Sequence, residues 1–344
     1  MALPDPSAET PSAARRSAKG AFVSWIGYHG RSQGFIDRLG LTPIYVSYLR
    51  QRDIVSAPLK YGPQFVATLR QLYRVKPEVV FVMDPPVFSV AAVFAYCRPR
   101  GIPFLMDCHS GVFNSPKWRW ALPLQRYFGR RAAGVIVTNP VHLQEVASWP
   151  AKGVIVGDPP PLLPTGVAKP SGAAAPWIFV IGVFGRDEEV GKVLEAAARL
   201  PGVGFRISGD TRRAQQAWID HHPDNVTFTG FLSNDDFWSH VREASAILTL
   251  TTREDTILRG GWEAMFVEQP LITSNTAALR RYFGKATVFV DHDPAAIAAG
   301  VEYALSHLEE LRLQAKALRE EKYAVWCQER KELERLAGVE LGNR

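Results

Sequence analysis

Short apolar runs alternate with amphipathic stretches along the first half of the chain. The runs are AFVSWIG (21–27), TPIYVSYL (42–49), VVFVMDPP (79–86), PFLMDCH (103–109), GVIVTN (134–139) and GVIVGDPPP (153–161). Each is nearly continuous in its apolar residues, which is typical of strands buried on both faces of a parallel sheet. The segments between them have the period of helices, so this half is predicted to be an α/β domain.

The alternation stops over GDPPPLLPTGVAKPSGAAAP (157–176), which is rich in Pro, Gly and Ala as interdomain linkers are. It then restarts with WIFVIGVFG (177–185), GFRISGD (204–210), NVTFTGFL (225–232), AILTLTT (246–252), PLITSN (270–275) and ATVFVDH (286–292). This second series predicts another doubly wound α/β domain, followed by a long polar helical segment.

The pattern therefore divides the chain into five parts. They are a disordered tail (1–20), a Rossmann-like domain (21–160), a linker (161–176), a second Rossmann-like domain (177–310) and a C-terminal helical tail (311–344). Two Rossmann-like doubly wound domains facing a cleft make up the GT-B architecture, which is the fold predicted here. In such sheets ligands bind at the carboxyl ends of the strands, so side chains at those ends are the candidate site residues.

Composition indicates a compartment and excludes some classes of protein. The three cysteines have no spacing that suits a disulfide framework or a zinc site, which indicates a reducing, cytoplasmic location. No apolar run has the length of a membrane span, and the N-terminal segment has no signal-peptide core.

Charge is divided unevenly between the two halves. Residues 1–175 carry 20 Lys and Arg against 9 Asp and Glu, a net charge of +11, whereas the remainder carries 20 against 25, a net charge of −5. The basic half predicts an anionic partner, such as a membrane surface or a lipid-linked phosphate. A nucleic acid would also fit the charge, but no nucleic-acid-binding module is recognisable, so none is predicted as a partner.

The segment TLTTREDTILRGGWEAMFVEQPLIT (249–273) places two carboxylates around a glycine-rich turn between a strand and a helix. Asp255, Glu263, the following Ala-Met pair and the later Pro-Leu-Ile resemble the E-x7-E-A-M-x-x-G-x-P signature of retaining GT-B glycosyltransferases of the family 4 type. The resemblance implies that Glu263 binds the donor ribose and that Asp255 faces the donor sugar. Gly260 and Gly261 would let the helix N-terminus approach the donor diphosphate.

The chain departs from this family pattern in its phosphate-binding cations. The family's Arg and Lys on the first loop and helix of the domain align with Val183 and Glu188. A leaving diphosphate needs a positive charge, because negative charge develops on it as the glycosidic bond breaks. The candidates to supply it are Arg186, Lys192 and Arg259.

Strand ends of the first half carry a second set of candidates. His109, Asp107 and Asp84 follow or end apolar runs, and the loop with Gly27, Gly30, Arg31 and Ser32 could face the donor diphosphate. Five segments of this half resemble blocks of the β-mannosyltransferase family that extends chitobiosyldiphosphodolichol. They are GRSQGFIDRLG, FVMDPPVFSVAAVFAYC, PFLMDCHSG, FGRRAAGVIVTN and GDPPP. That family inverts the anomeric carbon and would need a general base among His109, Asp107 and Asp84. The family 4 pattern needs no base, and His109 would then contact the donor.

The stretch SPKWRWALPLQRYFGRR (115–131) interleaves aromatic and basic residues, as bilayer interfaces do. Trp118 and Trp120 are the predicted acceptor-side residues within it. The leading interpretation is a cytoplasmic, peripheral-membrane glycosyltransferase that moves a hexose from a UDP- or GDP-linked donor to a lipid-phosphate-linked or saccharide acceptor. No cofactor or metal is expected. A GT-B sugar-nucleotide epimerase and a non-catalytic nucleotide-sugar binder are the alternatives.

Overall fold

The computed structural model describes residues 18–27, 29–48, 57–162, 175–182 and 184–342. Most of the predicted tail (1–20) and linker (161–176) therefore lies outside the described residues. The chain divides into two compact units, with the boundaries after Pro159 and after Cys327. Residues 328–344 belong to the first unit, together with the N-terminal half.

The first unit is built on a six-stranded parallel sheet in the order β2-β1-β3-β4-β5-β6. Its strands are β1 (Gly20–Ser24), β2 (Thr42–Tyr45), β3 (Val79–Asp84), β4 (Phe104–Cys108), β5 (Gly134–Val137) and β6 (Gly153–Ile155). Its helices are α1 (Gly30–Leu39), α2 (Ala57–Val75), α3 (Val87–Cys97), α4 (Ser110–Asn114), α5 (Leu122–Gly129) and α6 (Pro140–Ala147). Every residue of β1, β3, β4 and β5 is buried, and these strands are apolar except near their carboxyl ends, where Ser24, Asp84 and Asp107 lie.

The second unit repeats this plan with the order β12-β11-β10-β7-β8-β9. Its strands are β7 (Trp177–Val180), β8 (Gly204–Ser208), β9 (Val226–Gly230), β10 (Ala246–Thr249), β11 (Leu271–Ser274) and β12 (Thr287–Val290). Its helices are α7 (Val190–Ala198), α8 (Gln216–Asp220), α9 (Asn234–Glu243), α10 (Arg259–Phe266), α11 (Ala277–Phe283), α12 (Pro294–Ser306) and α13 (Leu308–Ala337), of which the last continues into the first unit.

Each sheet reverses its strand order once, between β1 and β3 in the first unit and between β7 and β10 in the second. Loops leave a parallel sheet in opposite directions at such a point and open a crevice at the carboxyl ends of the strands. The two Rossmann-like domains predicted from the sequence are confirmed. None of the helices in the described part of the chain is long and apolar enough to cross a bilayer.

The predicted C-terminal helical tail corresponds to α13 and the residues that follow it. Helix α13 passes from one unit to the other, and the chain beyond Cys327 contributes Leu333 and Leu341 to the interior of the first unit. Leu336 lies against β5, since a Cβ atom on Gly134 would come within 2.9 Å of its Cδ1. The periodic apolar residues of this polar helix therefore pack against the first sheet.

Candidate functional site

Helix α10, which follows β10 at the switch point of the second sheet, carries the predicted donor motif. The helix begins at Arg259 with Leu258 as its N-cap, so Glu263 lies one turn inside it. Glu263 is buried, with 8% of its surface exposed, and its Oε1 accepts a hydrogen bond of 2.9 Å from Arg259 Nε. The structure thus brings together a carboxylate suited to hydroxyl groups and a cation suited to phosphate.

Gly260 and Gly261 are both packed closely against neighbouring side chains. A Cβ atom on Gly261 would lie 2.8 Å from Phe283 Cζ, and one on Gly260 would lie 3.0 Å from Ile181 Cγ2. A side chain at Gly261 would clash with Phe283, and one at Gly260 would require Ile181 to shift, so both glycines favour the packing of α10 against its neighbours.

The other donor-side candidates lie on loops and at a helix start. Asp255 is exposed in the turn between β10 and α10, and Arg186 is exposed in the loop after β7. Lys192, near the start of α7, forms an ion pair of 3.2 Å with Glu189. The charge of Lys192 is therefore offset by a neighbouring acid, whereas the two loop residues are open to an incoming ligand.

The loop between β7 and α7 contains two acidic residues, Asp187 and Glu188, that were not among the predicted site residues. Glu188 Oε2 accepts a hydrogen bond of 3.1 Å from the Gly185 backbone N–H. Asp187 accepts one of 2.9 Å from Thr251 Oγ1 and one of 3.0 Å from Arg253, which ties this loop to the end of β10. In the sequence, the run of three acidic residues shortly after an apolar strand was the signal that could have pointed to this loop.

His109 and Asp107 are the core of the candidate site in the first unit. His109 Nε2 and Asp107 Oδ2 are 3.0 Å apart, because residues two apart in an extended chain project to the same face. The His109 side chain is 16% exposed, whereas that of Asp107 is 1% exposed. The His109 backbone N–H donates to the Asp84 carbonyl at 2.9 Å, and the ring of His29 meets that of His109 edge-on at 4.5 Å.

Arg31 is not available to a donor diphosphate, contrary to the prediction. It is buried, and its Nε donates to Asp107 at 3.0 Å while its Nη1 donates to Asp158 at 2.9 Å. Burial by itself would raise the pKa of Asp107, but the Arg31 charge, the His109 ring and hydrogen bonds from both hold that pKa well below its usual range. Asp107 is therefore a charged hydrogen-bond acceptor for His109 at every physiological pH. Sequence reasoning missed Asp158, although it belongs to the GDPPP block.

The remaining residues of the predicted N-terminal loop are divided between surface and core. Gly27 is exposed, and Gly30 is the partly buried first residue of α1. Ser32 is fully buried, with its hydroxyl 3.7 Å from Met83 Sδ. Ser32 is therefore a packing residue of α1 and does not face a ligand, which corrects its assignment to the donor site.

Asp84 is also removed from the surface, which corrects the prediction that it is a candidate general base acting on the acceptor. It ends β3, has no exposed surface, and its Oδ1 has no hydrogen-bond partner among the described residues. Burial raises the pKa of Asp84 from an ordinary 3.8 to about 7, and the nearby Gln125 lowers it only in part. Neither amide atom of Gln125 reaches hydrogen-bond geometry, which leaves the carboxyl poorly solvated.

The two predicted acceptor-side tryptophans differ in exposure. Trp118 is 9% exposed and belongs to the core, whereas Trp120 is 57% exposed. The ring of Trp120 lies 5.9 Å from that of Phe88, the second residue of α3. Trp120 alone of the pair is open to an incoming molecule.

Across the residues that the structure describes, no three or more His, Cys, Asp or Glu side chains are arranged to hold a metal ion. The Asp107–His109 pair and the Asp187–Glu188 loop are each bound to protein donors instead.

Comparisons with known proteins agree with this architecture. A glycosyl transferase 4-like domain matches residues 13–157, and a glycosyl transferase-like domain matches residues 188–330. A comparison with curated proteins gave no match.

Several solved structures have the same fold at low sequence identity. The sucrose-phosphate synthase of Thermosynechococcus elongatus superposes with a TM-score of 0.64 at 18% identity, covering 86% of this chain and 82% of its own. The Anabaena protein HepE, in complex with UDP-glucose, gives 0.67 at 11% identity, covering 92% and 100%. A glycosyltransferase of Rickettsia africae ESF-5 gives 0.64 at 14% identity, covering 93% and 98%.

The paired domain matches and the two Rossmann-like sheets define the chain as a glycosyltransferase of the GT-B class. Within that class it is a group 1 glycosyltransferase, an enzyme that depends on a nucleotide sugar.

Proposed function

We propose that this enzyme transfers a hexose of the glucose or mannose type from a UDP- or GDP-linked donor to a lipid-phosphate-linked acceptor, as a step in building a polysaccharide. The second Rossmann-like domain binds the donor and the first binds the acceptor. The enzyme works on the cytoplasmic face of an anionic membrane and uses no metal or other cofactor.

The donor side of this proposal rests on helix α10. Glu263 is held by Arg259 at 2.9 Å, so a carboxylate for ribose hydroxyls and a guanidinium for phosphate stand together after β10. Guanidinium groups favour phosphate because their fork of donors matches its oxygens. The Anabaena protein HepE, which shares the fold, was solved with UDP and with UDP-glucose, and this supports a UDP-linked hexose.

The proposed acceptor class rests on one observation, which is a basic and aromatic surface on the segment from Lys117 to Arg131. Its exposed members are Lys117, Arg119, Trp120, Leu124, Arg126, Tyr127, Arg130 and Arg131. Arg126 is paired with Glu145, and Arg131 stacks over Tyr127 at 3.7 Å. Such a surface fits anionic headgroups and adjoining acyl chains.

The proposed reaction can be tested with purified enzyme, UDP- and GDP-linked glucose and mannose, and a polyprenyl phosphate acceptor in vesicles. We expect release of nucleotide diphosphate that requires the acceptor, is faster on anionic than on neutral vesicles, and slows as salt screens the surface. The double variant Lys117→Gln, Arg119→Gln should bind anionic vesicles roughly 30-fold more weakly, since each cation near such a surface contributes about 1 kcal/mol.

The double variant Arg70→Gln, Arg74→Gln is a matched control, because it removes the same charge from exposed positions of α2 in the same unit. Vesicle binding that falls equally in both variants would reduce the membrane proposal to a net-charge effect. Donor epimerisation without any acceptor would instead identify an epimerase.

Replacing Glu263 by alanine is expected to weaken binding of the donor's nucleotide diphosphate by about 1–3 kcal/mol, because hydrogen bonds to a charged group are lost. Isothermal titration calorimetry measures this directly. Glu268→Ala is the control, since it breaks the 2.7 Å ion pair with Arg319 in the same unit without touching the proposed site. Unchanged affinity in folded Glu263→Ala would show that the ribose is bound elsewhere.

A further inference from the structure

Each of the three nitrogen atoms of the Arg31 guanidinium donates a hydrogen bond to an acceptor inside the protein. Nε donates to Asp107 Oδ1 at 3.0 Å, and Nη1 donates to Asp158 Oδ1 at 2.9 Å and to the Gly157 carbonyl at 2.9 Å. Nη2 donates to the Val156 carbonyl at 3.0 Å. With 4% of its surface exposed, the guanidinium is a buried cross-link between α1, the end of β4 and the segment after β6.

Asp107 divides its two oxygens between Arg31 and the imidazole. Oδ1 accepts from Arg31, and Oδ2 lies 3.0 Å from His109 Nε2. The four side chains therefore form one chain of alternating charge, Asp158–Arg31–Asp107–His109. It has a net charge of −1 while the imidazole is neutral and no net charge once the imidazole is protonated.

Other titratable groups face the imidazole from neighbouring elements. His29, just before α1, places its ring edge-on at 4.5 Å, and Asp84, at the end of β3, accepts the backbone N–H of His109 through its carbonyl. Cys108 lies between Asp107 and His109 in the chain, with its Sγ 4.0 Å from Asp84 Oδ2. Arg31 is the cation that the structure places on Asp107, so it offsets the attraction of that carboxylate for a proton on His109.

We propose that Arg31 is a positioning residue of this enzyme, which holds Asp107 as a charge-balanced acceptor and thereby sets both the orientation and the charge of the His109 imidazole. Without the guanidinium, the buried Asp107 carboxylate loses its permanent counter-ion. It then retains a proton on His109 and stabilises an imidazolium. Without Asp158, the Arg31 charge acts on Asp107 undiminished, and His109 loses its proton more readily.

The prediction is a pair of shifts of opposite sign. In Arg31→Gln the titration of the His109 ring, followed by NMR of its nitrogen-bound and carbon-bound protons, should move to higher pH, because the guanidinium charge beside Asp107 is lost. In Asp158→Asn it should move to lower pH. Arg31→Lys keeps the charge and loses the planar fork, so its shift should be smaller than that of Arg31→Gln.

The activity measurement rests on the proposed function, whereas the NMR titration does not. If neutral His109 takes part in transfer, turnover of Arg31→Gln should fall further at low pH than at high pH, with little change in nucleotide affinity. The proposal is overturned if both variants shift the ring titration in the same direction, or if neither shifts it. It is also overturned if Arg31→Gln and Arg31→Lys lose turnover equally at every pH, which is the result of a purely structural role. Should Arg31→Gln fail to fold, the Asp158→Asn titration alone decides the sign.

Discussion

Replacing His109 by alanine is expected to lower turnover by on the order of 10²-fold or more, which is the usual effect of losing a group that moves a proton in the transition state. The reason is structural: the ring follows β4 at the carboxyl edge of the first sheet and is oriented by Asp107 at 3.0 Å. Affinity for nucleotide diphosphate should change little, because the proposed ribose contact belongs to the other unit.

Steady-state kinetics and calorimetry on the same preparation separate these two effects. His222→Ala serves as the control, since it removes an exposed imidazole from the second unit. The configuration of the product then assigns the role of His109. An inverted anomeric centre identifies the His109–Asp107 pair as the general base, and a retained one identifies His109 as a contact to the donor. Near-native turnover in folded His109→Ala would remove the residue from the mechanism.

Replacing Asp84 by asparagine is expected to stabilise the enzyme at pH 8 and to have little effect at pH 4. The pKa of the folded carboxyl is raised from 3.8 to about 7, because the charged form is buried without adequate hydrogen bonds. Between pH 3.8 and about 7, Asp84 is therefore mostly protonated in the folded protein and mostly ionised in the unfolded chain. As pH rises from 3.8 to about 7 the unfolded state is increasingly favoured, and the full cost is present above that range.

This difference corresponds to at most about 4 kcal/mol of unfolding free energy at pH 8. Denaturant unfolding of both proteins between pH 4 and pH 8 measures it. The two curves should converge at low pH and separate as pH rises, with Asp84→Asn the more stable. Parallel curves, or a less stable variant at pH 8, would mean that the carboxyl is charged and well solvated in the folded state.

Features that depend on neighbouring residues were predictable from the sequence. Buried parallel strands are nearly continuous in their apolar residues, so the pattern of apolar runs alone locates the strands of both sheets. The contact between Asp107 and His109 followed from the two-residue period of a strand. The burial of Glu263 inside an apolar helix followed from the pattern around it.

Features that depend on distant residues were not predictable. Arg31 forms an ion pair with Asp158, which is 127 positions away in the sequence. Nothing near Arg31 in the sequence therefore distinguishes it from a ligand-binding arginine. The ring of Phe283, which belongs to another helix, leaves no room for a side chain at Gly261. The burial of Asp84 depends on α5, where Gln125 approaches it from a separate element.

The path of helix α13 fixes the order in which the two units can be completed during synthesis. All of the second unit is encoded between Pro160 and Cys327, so its residues are all synthesised before the last part of the first unit. The first unit, although it starts earlier, lacks Leu333 and Leu341 from its interior until those last residues are made. Domains generally fold in the order in which they are synthesised. In this enzyme the second unit can complete its fold first. The first unit completes its fold only after the end of α13 has been synthesised.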